Sequence, residues 1–341
     1  MKDLLKIIKG NPKALTGVSI IFLFIFVAVF APFLAKHDPQ KRSGAPHEYP
    51  AFVVKMAQAS PDGWVAENLA DNARRLRMSK DAEHVLGTTR LGRDIWSQVA
   101  HGARTSLFVG FTAGIFVCVV ATVIGISAGY FGGRIDNILS GAMNVMLVMP
   151  QLPIVMVVAA FVGQAGPLTI AVVIALTSWA WGARVIRSQT LAIREKEFIK
   201  AAEVLGESKF RILFVEILPN LIPLVGASFI GSVMYAILTE SVLSFIGMGS
   251  PSSVSWGSML YNVRTSSAMQ LGIWWEVLAP CIALSLLSFA LALFNFAVDE
   301  IANPQLRAQK GLKRWKKMQA EETKSRAKTE FAPQAALSGE K

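Results

Sequence analysis

Residues 197–223 read EFIKAAEVLGESKFRILFVEILPNLIP, the longest charged segment lying between apolar runs. Phe198, Ala201, Ala202 and Leu205 fall at i, i+3, i+4 and i+7, one face of a helix, and Phe210, Leu213, Phe214 and Ile217 repeat that spacing. Gly206 stands between the two sets, where a left-handed residue would end one helix and let a second leave at an angle. The pattern predicts two short helices around a bend, packed by Phe198, Leu205, Phe210 and Phe214 and continuous through Pro219 with the next apolar run. The other face carries Lys196, Glu197, Lys200, Glu203, Lys209 and Arg211. Such a segment does not lie in hydrocarbon; it sits in the cytoplasm or at the membrane surface. Taken by itself, it equally fits an amphipathic surface helix without a partner.

Outward from it, apolar stretches of the ~20 residues needed to cross a bilayer recur along the chain. The 341 residues are 53% apolar and only 17% charged, which predicts an all-α polytopic membrane protein. The net charge of +11 sits beside the spans and reads as a topology signal, not as nucleic-acid binding. Both cysteines, Cys118 and Cys281, fall inside apolar runs, so no disulfide framework is expected. The chain has no G-x-x-x-x-G-K-[ST] phosphate loop, so any ATP that drives it must be bound elsewhere.

Six spans are predicted, with both termini cytoplasmic. Residues 1–14 form a basic cytoplasmic N-terminus and 15–34 the first span, an apolar core too long for a cleaved signal peptide. Residues 35–106 form an extracytoplasmic region with an insert at 43–82 that holds Trp64, Arg74, Arg75 and Arg77, read as a partner platform or a solvated loop. The core at 107–306 carries the other spans, near 107–130, 138–162, 168–186, 221–246 and 273–298, with the cytoplasmic loop at 190–220. A basic cytoplasmic tail, 307–341, follows. Seven basic residues between Arg184 and Arg211 support the inside placement of that loop.

Several residues stand out within this frame. Gly125 and Gly129 have the small-xxx-small spacing of closely packed membrane helices. Asn144 is expected to face the bundle interior, near a span kinked by Pro150 and Pro153. Glu240 reads as the one acid in the outer half of a span, either a functional carboxylate or a hydrated cap. The four histidines, His37, His47, His84 and His101, follow no metal-ligand spacing. Trp274 and Trp275 read as interfacial anchors.

A family resemblance joins these pieces. AAEVLG followed by EILPN resembles the cytoplasmic "EAA" loop of ABC-importer permeases in Ala201, Ala202, Gly206, Leu218 and Pro219, with Lys200 where the family has a leading Glu. GTTRLGRD and GARTSL resemble the signature of the second permease of dipeptide, oligopeptide and nickel importers through Gly92, Arg93, Asp94, Gly102, Ala103, Arg104 and Ser106, with Thr89 in place of Asp. Gly132, Gly133 and Asp136 are similar to its GGxxD turn. The stretch ESVLSFIGMGSP with WGSML is similar to the family's E-x-x-LSFLGxG segment through Glu240, Ser244, Gly247, Gly249, Pro251, Trp256 and Gly257. The closing Asp299, Pro304 and Arg307 match as well, with Asn303 replacing an Asp.

The resemblance implies a type I importer permease fold in the inner membrane and a transport subunit, not an enzyme. It implies a paralogous permease, two ATPase subunits that bind ATP and Mg, and an extracytoplasmic binding protein as partners. The ATPase-coupling loop would comprise Phe198, Ala201, Ala202, Glu203, Leu205, Gly206, Phe210 and Pro219. Asn144, Met149, Glu240 and Ser244 are candidates for the translocation pathway. Peptides are the first substrate choice, oligosaccharides the second because Trp64, Trp256, Trp274 and Trp275 could stack on sugars, and nickel the third. A self-sufficient channel or secondary transporter would show internal repeats or several buried charges, and neither is evident. No constellation of nucleophile, base or metal ligands suggests a membrane enzyme.

Overall fold

The computed structural model describes residues 12–59, 83–162, 166–250, 253–302 and positions 315, 318 and 319. Trp64, Arg74, Arg75, Arg77, Pro251, Asn303, Pro304, Arg307 and most of the tail lie outside the described residues. Within them the chain is helical, with one isolated bridge, Thr88 to Asp94. The helices are α1 (Pro12–Leu34), α2 (Ala51–Ala59), α3 (Ile95–Phe131), α4 (Gly133–Val148), α5 (Gln151–Val162), α6 (Pro167–Arg194), α7 (Glu197–Val204), α8 (Lys209–Met248), α9 (Trp256–Thr265) and α10 (Trp274–Ala302).

Among the described residues, α1, α3, α6, α8 and α10 are long and apolar enough to cross a membrane, and α4 with α5 passes the same test only as a bent pair. The break corrects the expected kink. Met149, pushed to extended backbone at φ −71 and ψ 135 by the proline after it, turns α5 by 92° away from α4. Asn144 is exposed on this chain, and its side-chain oxygen accepts a hydrogen bond from Arg184 Nη2.

Length separates the spans from what lies beyond the bilayer. The 37 residues of α3 and the 40 of α8 run to about 55–60 Å at ~1.5 Å per residue, roughly twice the hydrocarbon thickness. Both helices therefore carry their ends well outside the membrane. Close packing of α3 on α6 depends on Gly125 and Gly129: a Cβ on Gly125 would stand 2.7 Å from the Ala183 carbonyl oxygen, and one on Gly129 2.6 Å from Thr190 Cβ. The other side of α3 packs on α8, while α1 lies against α3 and α10.

Two apolar cores matter for function. One joins α1, α3, α8, α9 and α10 to the segment around Tyr49 and Val54. Trp275 belongs to it, 4% exposed with its ring 4.8 Å from Tyr49, and so is a packed core residue where an interfacial anchor was expected. Trp274 remains half exposed. The other core gathers Ile126, Tyr130, Ile186, Ile199, Ile212, Ile217 and Leu221 where α3, α6, α7 and the start of α8 meet.

Candidate functional site

The bend is built as its local chemistry requires. Gly206 has φ +77°, Glu207 N–H donates to the Ala202 carbonyl and Gly206 N–H to that of Glu203, both at 3.1 Å, which is a Schellman stop for α7. Ser208 opens α8, its side chain accepting from Arg211 N–H. Pro219 lacks an N–H and crowds the carbonyl four residues back; the helix absorbs this with wide i→i+5 turns over Ile212–Ile217, Leu218 N–H reaching Leu213 O. From Lys209 onward α8 is nonetheless continuous, so the bend and the span form one rod.

The buried face of this pair is only partly the one its periodicity suggested: Ile217 is buried and Ala202 and Leu213 pack against the same core, but the large side chains of that stripe are not. Ile199, Ile212 and Ile217 are the anchors, each at most 1% exposed, and burying each stabilises by about 1.5–3 kcal/mol. Phe198, Val204, Leu205, Phe210 and Phe214 instead face outward, Leu205 at 81% and Phe210 at 71% exposure. Phe210 and Phe214 stack on each other with centroids 4.4 Å apart. Ala201, Glu203 and Pro219 are also exposed, and Ala202 is half-buried. Phe198, Val204, Leu205, Phe210 and Phe214 are thus exposed apolar side chains gathered at the bend.

Charged ties join the elements around the bend. Arg187 on α6 grips both oxygens of Asp136 at the head of α4, and Arg194 Nη1 donates to the Tyr130 carbonyl at 3.2 Å. Lys200 pairs with Glu195 across the turn between α6 and α7 at 3.0 Å. Arg184 and Arg187 had read only as topology charges; an acid in the GGxxD turn was the available sign of a partner.

The opposite end is a second constructed region. Glu240, 1% exposed, accepts from Ser244 Oγ at 2.7 Å, Ser106 Oγ at 3.3 Å and Ser241 Oγ at 3.5 Å. Trp256, fully buried, packs on Gly102 and donates to the Val99 carbonyl at 3.0 Å. The structure thus brings together the GARTSL and ESVLSF…WGSML segments, far apart in sequence. Ser244 also borders an open cavity of about 340 Å³ with Arg93, Gln98 and Asn262. Over α3, His84 Nδ1 lies 3.0 Å from Asp94 Oδ1 and its Nε2 3.6 Å from Glu48 Oε2. The Asp94 bond raises the His84 pKa despite burial, with Glu48 and Glu83 adding to it. Burial pushes the Asp94 carboxyl up, but its bonds from His84 and Ser97 N–H hold it below its ordinary value.

Another cavity, about 540 Å³, opens between α4–α5, α6, α8 and α10; Gln151, Ser178, Trp181, Ser232, Tyr235 and Asn295 are among its lining residues. Asn144 and Glu240 do not line it, and Met149 is exposed at the break beside it.

Residues 121–307 match the family described as binding-protein-dependent transport system inner membrane component, and residues 1–50 match the N-terminal TM domain of oligopeptide transport permease C. The chain belongs to the binding-protein-dependent transport permease family. It is similar to the dipeptide transport system permease protein DppC of Bacillus subtilis (strain 168), 31% identical over 90% of this chain and 86% of that one. The probable D,D-dipeptide transport system permease protein DdpC of Escherichia coli (strain K12) is 30% identical over 87% and 89%. The oligopeptide transport system permease protein OppC of Bacillus subtilis (strain 168) is 30% identical over 76% and 75%. This permease is accordingly a multi-pass inner-membrane transport subunit and not an enzyme, and permeases of this kind work with a binding protein, a companion permease and ATPase subunits.

Proposed function

We propose that this permease forms half of the translocation pathway of an ATP-driven peptide importer, paired with a paralogous permease, served by an extracytoplasmic binding protein and driven by two separate ATPase subunits that hold ATP and Mg. The observation that carries this reading is the outward apolar face of Leu205, Phe210 and Phe214, fixed to one continuous rod, α8. An ATPase subunit that gripped this face and moved on closing around ATP would turn α8 with it, because Ile199, Ile212 and Ile217 lock the bend to the bundle. Both termini and the bend lie on the cytoplasmic side in this reading, which agrees with the basic residues of 184–211 and the tail.

Peptides are favoured as cargo by the names of the similar permeases. The pathway wall runs from Ser244, steadied by Glu240 beneath it, past the cavity of Gln151 and Tyr235 to Met149 and Asn144. The test is reconstitution of the chain with its co-purifying permease, ATPases and binding protein in liposomes. ATP-dependent uptake of a labelled peptide supports the proposal. Uptake of a labelled oligosaccharide or nickel but not of peptide would overturn the cargo, and ATP-independent uptake by the chain alone would overturn the mechanism.

A further inference from the structure

The loop before α3 closes over the first turn of α10, where it covers an acid that no sequence motif singles out. Glu276 is 4% exposed. Its Oε1 accepts the Arg90 backbone N–H at 2.7 Å and lies 3.8 Å from His47 Nδ1, while Oε2 has no hydrogen-bond partner among the described residues. A buried carboxylate oxygen without a donor forfeits its hydration and gains nothing, so a donor that arrives from outside would satisfy it. Glu276 lines a cavity of about 240 Å³ whose polar walls also include Arg90, Arg93, Gln98, Asn262 and Ser266. Among the described residues, the ion pairs include neither Arg90 nor Arg93.

The site therefore sets an acid oxygen without a donor beside two guanidinium groups that make no ion pair among the described residues. We propose that it is a subsite for the charged termini of a short peptide. The α-ammonium donates to Glu276 Oε2, with further donors for the amide oxygens of Gln98 and Asn262, and the terminal carboxylate pairs with Arg93 and Arg90. The volume, below the roughly 300 Å³ of the smallest drug-sized pockets, limits the occupant to about one or two residues. The subsite rests on the peptide-import reading and on this end facing outward, and it adds that the permease itself selects for free termini.

The test uses the full-length chain in nanodiscs, titrated calorimetrically with alanyl-alanine, its N-acetyl form and its C-terminal amide. Wild type should bind alanyl-alanine saturably and each blocked form at least tenfold more weakly. Glu276→Gln should erase the penalty of acetylation and leave that of amidation; Arg93→Gln should do the reverse. Absence of saturable binding, or an acetylation penalty equal in wild type and Glu276→Gln, would overturn the subsite. Should Glu276→Gln fail to fold by thermal unfolding, the Arg93→Gln arm decides, since an unchanged amidation penalty there is equally fatal. Peptide uptake by the reconstituted assembly is read separately: uptake without this binding removes only the subsite, and no uptake removes the import reading beneath it.

Discussion

Arg187 and Asp136 meet in a two-point fork, Nη2 reaching Oδ2 at 2.6 Å while Nε donates to Oδ1, and Ser140 Oγ adds a bond to Oδ1 at 2.8 Å. The fork joins α6 to the head of α4, two turns before α6 gives way to the bend. Both side chains are mostly shielded, 27% and 16% exposed, so the pair is worth more than an open surface bridge. Lysine keeps the charge but offers no planar fork. Arg187→Lys should destabilise the chain by about 1–2 kcal/mol, read as a lower thermal midpoint in detergent. The same change in an Asp136→Asn background should cost far less; an equal cost in both backgrounds would mean that the fork is not the source.

The exposed and buried stripes of the bend make opposite predictions. Leu205→Glu changes a side chain 81% exposed, so folding and insertion should match wild type while co-purification of the ATPase subunits and ATP-driven uptake fall at least tenfold. Ile199→Glu places a charge in a site with no exposure and should reduce the amount of folded chain in the membrane. If Leu205→Glu retained full ATPase binding, the outward apolar face would not be the docking surface.

Gly206 has open space around a notional Cβ, so its requirement is of the backbone alone. At φ +77° a β-branched residue costs roughly 1–2 kcal/mol or more, whereas asparagine tolerates this region. Gly206→Val should therefore abolish most uptake with normal insertion, and Gly206→Asn should keep it. Equal uptake by Gly206→Val and wild type would remove the bent rod from the mechanism.

The bend at Gly206 and the close contact at Gly125 and Gly129 were legible in the sequence because glycine reports backbone geometry directly. The choice of buried face was not. Phe198, Leu205, Phe210 and Phe214 are apolar and so are Ile199 and Ile212, and periodicity cannot distinguish a face for the chain's own core from one exposed on the chain. The prolines at 150 and 153 announced a disturbance, but its size depends on Met149 being driven to extended backbone. The pairing of Arg187 with Asp136, and the burial of Glu276 beneath a loop some 190 residues earlier in the chain, are tertiary facts with no local spacing to betray them.

The His84–Asp94 contact makes the loop over α3 sensitive to pH. His84 is raised above its ordinary 6.5, so its contribution is complete below that value and is lost as pH rises through the raised one. Asp94 is held below its ordinary 3.8, so its contribution is complete above 3.8 and is lost as pH falls through the lowered value. Asp94, Glu48 and Glu83 face the imidazole, with the His37 ring 5.0 Å away. The thermal midpoint of wild type should exceed that of His84→Gln by more at pH 6 than at pH 9. A difference that is constant with pH would show that the imidazole stays neutral in the folded chain.

Glu240 distinguishes a strut from a residue on the cargo's route. Its oxygens accept from three serine hydroxyls on α3 and α8, and Ser241 already has a second acceptor in the Ile237 carbonyl at 2.8 Å. Glutamine preserves the shape and one acceptor oxygen, and serine hydroxyls can rotate to accept from its amide, so Glu240→Gln should cost no more than about 1 kcal/mol. Leucine offers the hydroxyls nothing, and each one left buried without a partner costs about 1–3 kcal/mol. Glu240→Leu should therefore lower the amount of folded chain in the membrane, while Glu240→Gln keeps both that amount and the uptake per inserted molecule. If Glu240→Gln kept its abundance yet lost uptake, the carboxylate would be acting on the cargo itself, and Ser244 would be its route to the open cavity.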